Sequence, residues 1–207
     1  MSRAPWLDGE LEYRSFGAPG APRAVFVLRT GAVATTDPDV RITSAHDVRI
    51  VAIGLDAPEL ENPPAFGGQT PAGLTVGALR ALLDREAPGS TVALVGERSA
   101  GPIAVHLAAA MGDAVDRLVL VGVTAPSDPL SRDIQTPMLD DLAAETLVLV
   151  GGNGEAGEDD ARWYVDRIPS ARAETLDADR FASAQGQLTL SSVWDLVLAH
   201  AAPRTET

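Results

Sequence analysis

Short apolar runs rich in β-branched residues recur along the chain, separated by longer segments with helical periodicity. Five of these runs are apolar at nearly every position, which is typical of parallel strands buried on both faces of a sheet. They cover residues 24–29, 47–55, 91–96, 116–123 and 145–152. Two less continuous runs, GELEYRSFG near the start and ARAETLD before the last helical segment, are predicted as additional strands.

Four segments between or after the strands have the apolar spacing of amphipathic helices. They cover residues 75–85, 99–111, 159–168 and 191–201. Alternation of strands and helices predicts an α/β fold with a doubly wound, mostly parallel sheet. We expect a single domain over residues 1–207, because the stretch 124–144 is too short to hold an inserted domain.

The composition narrows the possible functions. A net charge of −13 argues against a nucleic-acid partner or an anionic membrane surface. There is no cysteine, and His46, His106 and His200 are too widely spaced for a metal-ligand pattern, so we expect no metal and no cofactor. The first residues lack the apolar core of a signal peptide, and no apolar run approaches the roughly 20 residues that span a bilayer. These features favour a cytoplasmic protein.

One stretch carries a family resemblance. Residues 91–122 read TVALVGERSAGPIAVHLAAAMGDAVDRLVLVG, a strand, a tight turn, a helix and a second strand. This order resembles the α/β-hydrolase superfamily, in which the turn reads G-x-S-x-G and exposes a nucleophilic serine. An ungapped match places Gly96 on the first glycine, Arg98 on the nucleophile, and Ala100 and Gly101 on the small residues behind it. The resemblance covers nearly the whole chain and implies a capless α/β-hydrolase-like domain.

The other catalytic positions of the family are also substituted under this resemblance. LVLVGGNG resembles the segment that ends in the triad acid and puts Gly154 there, while LDADRF resembles the histidine loop and puts Arg180 on the histidine. VFVLRTG resembles the oxyanion-hole strand, with Arg29 and Thr30 at its end. The resemblance therefore implies that no Ser–His–Asp mechanism operates, and we assign no catalytic residue.

Three arginines follow predicted strands, where open α/β sheets bind their ligands. Arg29, Arg98 and Arg180 are therefore predicted to form a pocket for a carboxylate, a phosphate or an enolate. In the alternative interpretation each arginine pairs with a local acid: Arg98 with Glu97, and Arg180 with Asp177 or Asp179.

Two neighbours of Arg98 have their own alternatives. Ser99 is interpreted as a hydroxyl that caps the following helix, and the competing hypothesis is a displaced nucleophile. Glu97 is either a general acid or base or, more simply, an ion-pair partner. The Trp163–Tyr164 pair is expected to form the packing face of a helix, and His106 to be a packed or surface residue.

The sequence thus favours a non-hydrolytic protein that binds a small anionic or carbonyl-bearing molecule. One version is an enzyme for cyclisation, isomerisation or elimination on a biosynthetic intermediate. The alternative is a catalytically inactive relative that serves as a ligand sensor or as a partner subunit, including in a homo-oligomer. A serine hydrolase that uses Ser99 is the third hypothesis.

Overall fold

The computed structural model describes residues 2–6, 9–30, 40–55, 71–152, 156–177 and 188–203. These ranges contain eight strands. They are β1 Ser2–Trp6, β2 Gly9–Phe16, β3 Arg23–Thr30, β4 Val48–Leu55, β5 Val92–Glu97, β6 Val115–Val121, β7 Glu145–Gly151 and β8 Ala171–Leu176. The same ranges contain six α-helices. They are α1 Val40–His46, α2 Pro71–Glu86, α3 Gly101–Met111, α4 Pro129–Asp140, α5 Glu158–Val165 and α6 Trp194–Ala201.

All eight strands belong to one sheet, in the order β1-β2-β4-β3-β5-β6-β7-β8. The two strands at the start of the order pair antiparallel, and every pair from β4 to β8 is parallel. This arrangement confirms the predicted α/β fold with a mostly parallel sheet. The seven strands that the apolar runs predicted are all present, with ends that differ by at most two residues.

Several elements differ from the sequence prediction. The short edge strand β1, which contains Pro5, and helix α1 were not predicted. Helix α4 was missed as well, because Pro137 interrupts its pattern, although Asp128 caps its start by accepting the backbone N–H of Ser131 at 2.8 Å. The predicted helices 99–111 and 191–201 begin instead as 3-10 turns, at Arg98–Ala100 and Leu190–Ser192.

Both faces of the sheet are covered by helices, which explains the unbroken apolar character of its central strands. One buried cluster joins the sheet to α2, α3 and α5, and includes Phe26, Leu94, Leu118, Leu82, Leu107 and Tyr164. The other joins the opposite face to α6, and includes Val27, Val95, Val121, Trp194 and Leu198. Trp163 and Tyr164 are both buried, which confirms the predicted packing face of α5.

Helix α5 also fixes the segment that follows β6. Its Asp160 carboxylate accepts the backbone N–H groups of Ala125 at 2.8 Å and of Gly157 at 2.9 Å. The Tyr164 hydroxyl donates to the carbonyl oxygen of Thr124 at 3.2 Å. These contacts hold the chain at the edge where the parallel strands end, which we call the carboxyl edge of the sheet. None of the described helices is long and apolar enough to cross a membrane.

The opposite, amino edge is held by Arg23 at the start of β3. Its guanidinium makes two hydrogen bonds to the Asp116 carboxylate, at 2.5 and 3.1 Å. Its Nε–H donates to the carbonyl oxygen of Ala201 at 2.8 Å, and a fourth hydrogen bond reaches the carbonyl oxygen of Thr91 at 3.4 Å. Because the fork-shaped guanidinium serves several acceptors at once, it connects α6 to three neighbouring strands.

His200 lies in α6, as the sequence predicted, and is 8% exposed. Its Nε2 is 2.9 Å from the carbonyl oxygen of Glu145, at the start of β7. Burial, together with the positive charges of Arg117 and Arg172, lowers the pKa of His200 from 6.5 to about 4. The ring is therefore neutral near pH 7 and donates its Nε2–H to the carbonyl.

This histidine predicts an acid-sensitive contribution to stability. Between pH 6.5 and about 4 the unfolded chain binds a proton at His200 that the folded chain does not, so the free energy of unfolding should fall as the pH falls through that window. Above pH 6.5 the residue should contribute no pH dependence. The variant His200→Gln keeps an N–H donor without a titrating group, and it should remove about 1–3 kcal/mol of this loss. Urea unfolding of both proteins at several pH values measures this difference. The same dependence of the unfolding free energy on pH in wild type and His200→Gln would contradict the prediction.

Candidate functional site

The turn after β5 has the geometry of a nucleophile elbow. Arg98 directly follows the last residue of β5 and has φ +53°, in the left-handed region that side-chain-bearing residues rarely adopt. A 3-10 turn, Arg98–Ala100, then leads into α3. This confirms the expectation that Arg98, and not Ser99, occupies the strained position of the turn. The guanidinium is therefore carried at the carboxyl edge, between a buried strand and a buried helix.

Two glycines allow the chain to turn this tightly. A Cβ on Gly96 would lie 2.8 Å from the Cα of Gly101 and 2.8 Å from the Cβ of Ala104. A Cβ on Gly101 would lie 2.4 and 2.5 Å from the two methyl groups of Val123. Strand β5 and the segment after β6 thus approach α3 at backbone distance. Small residues are therefore required at both positions for a steric reason, whatever residue stands between them.

Glu97, the last residue of β5, is the buried acid of the site, with a side chain that is 7% exposed. Its Oε2 lies 3.4 Å from Nε of Arg29, and its Oε1 accepts the backbone N–H of Leu190 at 2.9 Å. Glu97 thus has partners on β3 and in the turn before α6, while the ion pair between Glu97 and its neighbour Arg98 stays a prediction. Arg29 pairs with an acid, as the alternative interpretation of the three arginines proposed, but this acid belongs to a different strand.

The register of the sheet explains this pairing. Leu28 of β3 lies opposite Gly96 of β5, so Arg29 and Glu97 are the next residues along two adjacent parallel strands. Both project toward the α6 face, on the same side as Val27 and Val95. The alternation of side chains along each strand indicates that Arg29 and Glu97 lie on the same face of the sheet. It predicts their contact only when β3 and β5 are known to be neighbours, which the sequence did not show.

Ser99 and Thr30 form a second contact across the same strands. The Ser99 hydroxyl donates to Oγ1 of Thr30 at 3.3 Å, and Ser99 is exposed. No side chain caps either the 3-10 turn or α3, so the interpretation of Ser99 as a helix cap is wrong. Because Arg98 takes the first place of the turn, the Ser99 side chain is directed to the end of β3.

Arg98 lies against a wall formed by two other segments. Gly122, which follows β6, has φ +60°, and the position of a Cβ on it is 3.7 Å from Cγ of Arg98. The same position is 3.7 Å from the carbonyl oxygen of Leu188 and 3.9 Å from its Cβ. A Cβ on Gly122 would therefore contact both the aliphatic stem of Arg98 and Leu188. Leu188 lies two residues before Leu190, whose backbone N–H donates to Glu97.

The remaining candidates either lie outside the described residues or are placed elsewhere by the structure. Gly154 and Arg180 lie outside the described residues, so the predicted convergence of three arginines stays a prediction. His106 is exposed on α3, and the buried His200 contacts the amino end of β7. In the described part of the chain, no group of three acidic or histidine side chains could hold a metal ion. A hollow of about 230 Å³ opens at the amino edge, beside Leu83 and Met111, away from the elbow.

Comparisons with known proteins identify the fold. No protein-family model and no curated protein sequence matches the chain significantly. Solved structures do match. The 2-hydroxy-6-oxo-6-phenylhexa-2,4-dienoate hydrolase of Rhodococcus sp. strain RHA1 has a TM-score of 0.65 at 16% identity, over 94% of both chains. The esterase RhEst1 of Rhodococcus sp. ECU1013 has a TM-score of 0.64 at 19% identity, over 85% of this chain and 90% of that one.

A third structure, the meta-cleavage product hydrolase of Pseudomonas fluorescens IP01, has a TM-score of 0.61 at 14% identity. It covers 86% of this chain and 89% of its own. The three proteins share the α/β-hydrolase fold, and this chain has the same fold. At these identities the likeness extends to the fold alone.

The glycine contacts predict a sharp difference between two Gly→Ala variants. Gly101→Ala should destabilise the protein by about 1–3 kcal/mol, because the new methyl group collides with the stiff side chain of Val123. Gly77→Ala is the matched control, since a Cβ on Gly77 meets nothing within 4 Å in α2. It should stabilise the protein by roughly 0.5–1 kcal/mol. Chemical denaturation of both variants checks the pair, and equal effects would show that α3 can move away from Val123.

Proposed function

We propose that the protein is a non-hydrolytic, capless α/β-hydrolase-fold protein that binds a small anionic or carbonyl-bearing molecule at the carboxyl edge of its sheet. The reaction that best suits such a site is cyclisation, isomerisation or elimination on a biosynthetic intermediate, with charge that develops on the ligand stabilised by a guanidinium. The observation that carries the proposal is Arg98 at the strained apex of the elbow, where the fold presents its reacting group.

The position of Arg98 supports an anion or an oxyanion as the ligand. Its backbone is fixed by the tight turn, and its stem lies beside Gly122. A guanidinium held in this way donates charge-assisted hydrogen bonds in a fixed plane, which suits a carboxylate or an enolate. Strain at the turn is maintained by the packing around the two glycines, so little reorganisation is needed when a ligand binds.

The surroundings of Ser99 argue against hydrolysis. Its hydroxyl donates to the Thr30 hydroxyl, which is no base, and a serine needs a base within hydrogen-bond reach to attack an ester. The residues at the family's acid and histidine positions are Gly154 and Arg180, neither of which can act as the acid–base pair of a triad. Displacement of the serine by one place thus comes with loss of the groups that would activate it.

One structural neighbour guides the choice of ligand probe. The solved structure of the Pseudomonas fluorescens hydrolase is a mutant complexed with acetates. We propose that a carboxylate group binds to this protein too, at Arg98. Acetate is therefore the simplest probe of the site.

A partner subunit is the second candidate function, and one observation favours it. Leu130 and Ile134 lie four residues apart in α4 and are 62% and 55% exposed, so they form an apolar ridge on one face of the helix. A stable interface buries about 800 Å² on each partner, far more than two side chains supply. The ridge therefore ranks behind the elbow as an indicator of function.

Replacement of Arg98 tests the proposed ligand class. Arg98→Ser should weaken acetate binding by about tenfold or more, because a charge-assisted hydrogen bond contributes roughly 1.5–3 kcal/mol. Titration of acetate followed by protein NMR measures the change. Arg80→Ser, at an exposed position of α2, is the control and should leave acetate binding unchanged. Equal acetate affinities in wild type and Arg98→Ser would remove the anion site.

The absence of hydrolysis is tested with a simple chromogenic ester. Wild-type protein should release p-nitrophenol from p-nitrophenyl acetate no faster than Ser99→Ala, since the serine has no base. Arg98→Ser should not gain hydrolysis either, because Arg180 supplies no proton acceptor. A burst of one equivalent of p-nitrophenol, with an acetyl group mapped to Ser99 by mass spectrometry, would establish a serine hydrolase instead.

A further inference from the structure

The position of Glu97 is chemically unusual and is not explained by ligand binding to Arg98 alone. Its carboxylate is buried at the end of β5, where the preceding residues of the strand are apolar or glycine. A buried charge is costly unless partners compensate it. Replacement of such a pair by apolar residues often costs a protein no stability, so the pair is not explained by stability alone.

Both partners of Glu97 belong to the walls of the candidate site. Arg29 stands next to Thr30, whose hydroxyl contacts Ser99 beside the elbow. Leu190 lies two residues after Leu188, and Leu188 lies near Gly122, the glycine beside the Arg98 stem. The carboxylate thus holds the end of β3 and the turn before α6 to the base of the elbow, with one oxygen on each.

The charges of these groups determine what else the site can accept. Arg29 is 20% exposed and has the negative charge of Glu97 at 3.4 Å from its Nε. A ligand carboxylate at Arg98 meets a complementary charge. A second anionic group on the same ligand that approaches Arg29 meets a guanidinium whose charge Glu97 already neutralises.

We propose that Glu97 is a specificity-determining residue that restricts the site to ligands with a single negative charge. It acts as an internal counter-anion: it neutralises Arg29 from within the fold, so that Arg29 does not offer its charge to a second carboxylate. This inference rests on the proposed anion site at Arg98 and adds the charge of the ligand to it. Glu97 acts through Arg29, so no contact between Glu97 and the reacting atoms is required.

Succinamate and succinate are matched probes, because they differ only by an amide in place of one carboxylate. Wild-type protein should bind succinamate at least about tenfold more tightly than succinate at low ionic strength, measured by titration calorimetry or NMR. Equal affinities in the wild-type protein would overturn the inference, and this comparison needs no variant to fold.

The variant Glu97→Gln separates selection from structure. Its amide oxygen can still accept the N–H of Leu190, while the negative charge is removed. The preference for succinamate should then disappear or reverse. A merely structural role of Glu97 predicts equal losses for both probes and an unchanged ratio of affinities, which would also overturn the inference. Arg29→Gln provides the opposite change: with the counter-charge gone, the preference for succinamate should increase, and a decrease would contradict the proposal.

Arg98→Ser distinguishes this inference from the function on which it rests. Suppose that Arg98→Ser loses binding of both probes, while Glu97→Gln keeps the wild-type ratio of succinamate to succinate affinity. This result would support the anion site and reject charge selection by Glu97. Unchanged binding of both probes in Arg98→Ser would reject the anion site itself, and the inference with it. No measurable binding of either probe to the wild-type protein would have the same meaning.

Discussion

The close approach of α3 to β5 is the constraint on which the site depends. Gly96 and Gly101 leave no space for a methyl group between the strand, the helix and Val123. A helix that must begin this close to the strand it follows forces the connecting residue into the left-handed region. The strained backbone of Arg98 is thus a consequence of packing, and the same packing carries its side chain at the carboxyl edge. The turn keeps its shape although its central residue is an arginine.

The two edges of the sheet use charge in different ways. At the amino edge, Arg23 satisfies the Asp116 carboxylate and two carbonyl oxygens, and His200 is buried as a neutral donor. These contacts connect elements that are distant in sequence. At the carboxyl edge, Glu97 brings a full charge into the protein interior and binds Arg29 and the N–H of Leu190. A buried ion pair is weak evidence for stability, because the cost of removing both charges from water offsets their attraction.

Much of the fold followed from the amino-acid sequence. The unbroken apolar runs predicted a parallel sheet covered on both faces, because only such strands bury both sets of side chains. The ungapped match over residues 91–122 predicted the position of the tight turn, and its small residues Gly96 and Gly101 are a steric requirement of that turn. The prediction failed for helix α4, whose Pro137 and exposed Leu130 and Ile134 hide its periodicity. It also failed for β1, a five-residue edge strand with no buried run of its own.

The partners within the site were decided by the tertiary structure alone. Local reasoning paired Glu97 with Arg98 and gave Ser99 a capping role, since neighbours in sequence were the only contacts it could assess. The contacts that the structure describes, Glu97 with Arg29 and Ser99 with Thr30, join residues 68 and 69 positions apart. They exist because β3 and β5 are adjacent and in register, and strand order is set by the packing of the whole chain. The sequence by itself determined which groups the edge of the sheet carries; the order of the strands determined which of them meet.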